Sequence, residues 1–280
     1  MVRIYNKGID KNKFNYVKNY IVKTAELILE KMSMKLDLKI QVINSENTIK
    51  NEMYEWAASV SDNNTIQIFE NLIDELVDEK EDYFDACLYH EMLHLYDLNC
   101  IHSNKHSNYN FWAKAKTVEQ FLEKKGLLMW TEFYAYYKSS AVYKNHFEYP
   151  TFLEMVNTYK ELLDFGQKVY TNEFSKEDAN LLIKKINQFC YMSARYLACD
   201  IYGKHRYLKY SEKNYSRKEF KQLEKIYDGC YKRIVKMFHG TYGKYMDNRL
   251  INLGEYIFYH FYYKLGVLLT KRKGRIFYNI

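Results

Sequence analysis

Two histidines four residues apart, with a glutamate directly after the first, are the residues of this chain best equipped for chemistry: His90-Glu91-Met92-Leu93-His94. On a helix, residues four apart share a face one turn apart, so His90 and His94 can present imidazole nitrogens to one metal ion. Glu91 projects beside them, where it can hold a water on the metal without ligating the metal itself. Such a metal lowers the pKa of its water toward neutrality. The glutamate can then take the proton as water attacks a carbonyl, and pass it to the leaving amine. The spacing implies one Zn2+ per chain, with Glu91 as general base.

A catalytic zinc site needs a third protein ligand and one open position. Glu132 is the candidate, in Trp130-Thr131-Glu132-Phe133-Tyr134-Ala135, 38 residues after His94. A carboxylate among Trp130, Phe133 and Tyr136 is expensive to bury unless it is paired or bound to a cation. Ala135, one turn along, lets its helix approach another closely. Rival ligands are His102, His106 and Asp97. Asp97 lies nearly two turns from His90, about 10 Å of rise away, and reads better as a group that orients a ligand histidine.

The elements that position these residues alternate in type over the first 140 positions. Phe14, Val17, Ile21, Ala25, Ile28 and Met32 predict an amphipathic helix over 14–34. Leu36, Leu38, Ile40 and Val42 alternate with polar residues as a half-buried strand does. Tyr54 to Val60 and Thr65 to Phe69, joined by Ser61-Asp62-Asn63-Asn64, predict a hairpin. A short helix over Leu72 to Val77 follows, then a helix from Tyr83 to Leu98 with Asp82 as its N-cap. Residues 99–110 read as loop. Gly126 is expected to end a helix begun at Thr117, with another from Leu127 to Tyr143. Beyond Pro150 only helices are expected, over 151–169, 176–201, 216–238 and 247–270, with Ser175-x-x-Asp178 opening the second.

The formal charge of +7 is unevenly spread: residues 1–140 carry 17 Lys and Arg against 21 Asp and Glu, and residues 141–280 carry 25 against 14. The basic half is either a solvated helical surface or a face for something anionic. The five cysteines form no CxxC pair, which suits reduced thiols in a cytoplasm. No secretory leader is legible at the N-terminus. The apolar run Tyr256 to Leu269 falls short of the roughly 20 residues a spanning helix needs, so no membrane is expected. Tyr256, Phe258, Tyr259, Tyr262 and Tyr263 read as core packing, His260 as a satisfied core imidazole, and Lys271 to Arg275 as a frayed tail. His146, His205, His239 and His260, with Tyr134 and Tyr136, are the candidates to hydrogen-bond an oxyanion.

With these residues in place, the layout resembles the zincin fold of gluzincin type. His90-Glu91-Met92-Leu93-His94-x-x-Asp97 with Glu132-Phe133-x-Ala135 is similar to the ImmA/IrrE-like metallopeptidases of mobile elements, and to the MtfA-like peptidases. Cys100 stands where some metzincins place a third ligand, but Asp97 occupies the position of the glycine that motif needs. The resemblance covers about residues 14–140. It implies an α+β fold: a zincin-like metallopeptidase domain over residues 1–145, with a helix, a small three-stranded sheet with hairpin, the H-E-x-x-H helix and the Glu helix. An all-α C-terminal region over residues 146–280 is expected to pack on it. The expected function is a cytoplasmic zinc-dependent endopeptidase acting on a protein or peptide substrate through Glu91, with His90, His94 and Glu132 as metal ligands. The rival reading is a zincin-fold regulatory or binding module with little hydrolysis, contacting nucleic acid through its basic half.

Overall fold

The computed structural model describes residues 1–44, 57–104, 115–143, 150–171, 175–203, 217–238, 246–272 and 275–279. The chain divides into two compact units: Met1–Tyr109 with Lys138–Glu148, and Asn110–Tyr137 with Tyr149–Ile280.

In the first unit, β1 (Val2–Lys7) leads into α1 (Lys11–Lys31), whose N-cap Asp10 accepts a hydrogen bond from the backbone N–H of Lys13. β2 (Leu38–Ile43), β3 (Ala58–Asp62) and β4 (Thr65–Phe69) complete a sheet of order β1-β2-β4-β3. β1 and β4 flank β2 in parallel, and β3 pairs with β4 antiparallel, the hairpin expected from the turn residues between them. The sheet therefore has four strands, not three. β1 escapes a pattern reading because, as an edge strand, it buries little: Val2 and Ile4 are only half-buried. Of the first hairpin strand, residues 54–56 lie outside the described residues.

Two helices complete this unit, α2 (Glu70–Val77) and α3 (Glu81–Asn104). α3 starts before Asp82, which sits in its first turn, where a carboxylate suits the helix dipole. It also continues past Leu98 into the segment expected to be loop. Leu38, Ile40 and Val42 are fully buried, as their alternation demands, and meet Ile21 and Ala25 of α1 and Phe84, Leu88, Met92 and Leu95 of α3 in one core.

The second unit is mainly helical: α4 (Val118–Val142, its last turn belonging to the first unit), α5 (Phe152–Thr171), α6 (Lys176–Gly203), α7 (Arg217–Phe238) and α8 (Met246–Ile257). Ser175 Oγ accepts from the Asp178 N–H and donates to its carboxylate, the start signal legible in the sequence. Gly126 does not end a helix; α4 runs through it. A Cβ at Gly126 would meet the Leu250 carbonyl oxygen at 1.9 Å, and one at Gly254 the Leu122 oxygen at 1.8 Å. The two glycines let α4 and α8 cross backbone to backbone.

The region after Pro150 is not wholly helical. α8 passes through a π turn (Phe258–Tyr262) and a 3-10 turn (Tyr263–Leu265) to Gly266, whose φ of 79° ends the helix. β5 (Leu268–Arg272) and β6 (Arg275–Asn279) then form an antiparallel hairpin where a frayed tail was expected. The apolar run to Leu269 is thus helix followed by strand, divided at its glycine. Among the described residues, no helix is long and apolar enough to cross a membrane.

Candidate metal centre

α3 is held at both ends of the first unit's core. Tyr20 of α1 donates to Asp85 Oδ1 at 3.0 Å, and Asn99 donates to the Asn63 carbonyl of the β3–β4 turn at 3.1 Å. Burial of that pair pushes the Asp85 carboxyl up, opposed by the Tyr20 hydrogen bond. The Phe84, Leu88, Met92 and Leu95 stripe faces the core, which turns His90, His94 and Asp97 onto a different side of the same helix.

His90, Glu91 and His94 are all buried, at 6%, 8% and 8% exposure. The two Nε2 atoms face each other at 3.0 Å, with the rings nearly perpendicular at 84°. Two nitrogens on one tetrahedral zinc, at bond lengths near 2.05 Å, stand roughly 3.3 Å apart. The observed spacing is therefore close to what a shared ion imposes. One ligand atom from each of His90, Glu91 and His94 can be chosen so that all lie within 4.8 Å of one another, and this is the one such group among the described residues. Two imidazoles and a carboxylate this close could hold a metal ion.

Asp97, three residues after His94, is fully buried on α3. His102 lies within α3, and His106, His146, His205 and His239 lie outside the described residues. Glu132 belongs to the second unit. There it lines a cavity of about 20 Å³, room for a single water, with Lys125, Met129, Asn187, Cys190 and Tyr262. Tyr134 and Tyr136 share that unit, with Tyr134 stacked on Trp130 at 5.6 Å.

Two features were not legible beforehand. Tyr89, beside His90, meets Tyr143 edge to face at 5.7 Å, bringing the chain after α4 back to the site helix. Burial raises both phenols, that of Tyr143 to about 12. In the second unit Lys125 is inside rather than on a surface, donating to Asn187 Oδ1 at 2.9 Å and to the Tyr262 hydroxyl at 3.1 Å, with its amine pushed down by burial to about 8. Its neighbours Glu123 and Lys124 are charged, so the local sequence carries no signal of that burial.

His260 is half-buried, and its Nδ1 has no hydrogen-bond partner among the described residues, so it is not a satisfied core imidazole. Comparison of the chain with protein-family models, with curated proteins and with solved structures finds no match.

Proposed function

We propose that the chain is a zinc-dependent endopeptidase whose metal is held through His90 and His94, with Glu91 as general base. The observation that carries this reading is the convergence of the two imidazole Nε2 atoms at 3.0 Å, with the Glu91 carboxylate within 4.8 Å, on one buried helix. Without an ion, the two neutral rings make one N–H···N hydrogen bond, one donating and one accepting. A shared cation would instead take the lone pair of each ring, from two side chains already aimed at one another.

When bound, zinc supplies Lewis acidity that polarises a peptide carbonyl and acidifies water. His90 and His94 are held on consecutive turns of a helix anchored through Tyr20–Asp85 and Asn99–Asn63, so the site is preorganised. Glu91 takes the proton from the attacking water and delivers it to the leaving amine nitrogen. Its burial removes competing solvent, which strengthens each charge interaction at the reacting carbonyl. Asp97, buried on the helix that carries both histidines, is suited to fix a ligand ring.

The reading is tested by incubating the zinc-loaded protein with denatured casein and with a complex lysate. New peptide termini that vanish under a zinc chelator and return with added zinc support it. Zinc-loaded protein that generates no new termini in either mixture contradicts it.

A further inference from the structure

The exposed face shared by α7 and the end of α8 has the make-up of a single-strand binding platform. Lys218, Lys221, Lys225, Lys232 and Lys236 are all exposed on α7. At 100° per residue they fall within an arc of roughly 60° and span roughly 27 Å along the helix. None of the five forms an ion pair among the described residues. Arg249 of α8 joins the far end, donating to the Lys236 carbonyl at 2.8 Å.

Aromatic rings line the side of this stripe. Gly229 leaves room for Tyr256, whose hydroxyl donates to the Lys225 carbonyl at 3.3 Å, while the Arg233 guanidinium lies 3.9 Å from the ring centroid. The His260 ring follows at 4.3 Å from Tyr256 and 5.0 Å from Tyr259. Tyr259 and Tyr263 are each 51% exposed, stacked at 5.8 Å, with the Lys264 amine 5.4 Å from the Tyr259 centroid. Burial, then Lys264, Arg233 and Lys225 in turn, push the His260 imidazole down to about 4, so the cations of both helices converge on one spot. Asp228 is the carboxylate that bears on Tyr256 there. The turn that carries Tyr259 and His260 is a π turn, a feature common at functional sites.

We infer that this face binds single-stranded nucleic acid, with the α7 lysines tracking the phosphates and Tyr259 and Tyr263 stacking on bases. The charge complements a polyanion along one line. The exposed rings beside it offer π faces that only unpaired bases can meet, which favours a single strand over a duplex. The inference is independent of the proposed metal site, whose histidines lie in the first unit.

The test is fluorescence anisotropy of a labelled 20-nucleotide oligo-dT with the full-length protein. The inference predicts micromolar binding in 50 mM salt that weakens about 100-fold by 200 mM, as roughly five phosphate contacts require. Lys225→Gln with Lys232→Gln, and Tyr259→Ala with Tyr263→Ala, should each weaken it at least about tenfold, with unchanged circular dichroism. A duplex of equal length should bind less tightly. Absence of binding at about 100 µM protein in low salt overturns the inference, as does undiminished binding by the tyrosine variant. Equal or tighter binding of the duplex overturns it too. So does binding to phosphatidylserine vesicles through the same residues with no oligonucleotide competition, which assigns the face to a membrane surface.

Discussion

The Nε2 atoms of His90 and His94 stand 3.0 Å apart on successive turns of α3, buried and perpendicular, with Glu91 between them in sequence. Facing nitrogens on one buried helix could hold a cation between them, which is the proposal to test. Purified protein should carry about one zinc per chain. His90→Ala and His94→Ala should each lose it, as read by elemental analysis after dialysis. Undiminished zinc in both histidine variants would contradict the assignment.

Asp97→Ala should retain measurable zinc, with affinity reduced about 10–100-fold, because a group that orients a ligand tunes the metal without holding it. Competition with a zinc-binding dye reads this directly. Affinity equal to wild type would show that Asp97 does not act on the ligand histidines.

Gly126→Ala and Gly254→Ala should each destabilise the second unit by about 1–3 kcal/mol or more, since the added methyl meets backbone rather than a movable side chain. A lower urea midpoint in both variants checks it. An unchanged midpoint would mean that α4 and α8 separate at little cost.

The crossing of those helices marks what the sequence could not disclose. A glycine in a helical pattern reads equally as a stop or as a close approach, and only the partner backbone, here Leu250 and Leu122, decides. The core strands and the site helix were legible because their periodicity answers to one buried face: Leu38, Ile40 and Val42 inward, Lys39 outward. The same logic fails for β1, an edge strand, and for residues 256–279, where an apolar run crosses from helix to hairpin at Gly266. His90, Glu91 and His94 were legible because helical geometry alone brings i and i+4 together. Glu132 depends on a different element, and sequence spacing fixes no distance to it.

Lys125 supplies a pH signature. Its folded-state pKa, about 8, lies below its ordinary 10.5. Between those values the unfolded chain holds a proton that the folded chain has released. The stability contributed by this group therefore rises with pH through that window, and the penalty is fully present below about pH 8. The stability of wild type relative to Lys125→Met should increase from pH 7.5 to pH 10, while the lost bonds to Asn187 and Tyr262 enter as a constant offset. A pH-independent difference would mean that the amine stays protonated when folded.

The most direct test of the central claim is the zinc content and peptide-bond cleavage of Glu91→Gln, measured on one preparation. The amide is nearly isosteric and the residue is not assigned as a ligand, so zinc should remain at about one per chain. Lacking a group that accepts the proton from water, the variant should lose about 10²–10⁴-fold of the cleavage rate on any substrate the wild type cuts. Retained zinc with cleavage at the wild-type rate, still abolished by chelation, would contradict the role of Glu91 and with it the proposed mechanism.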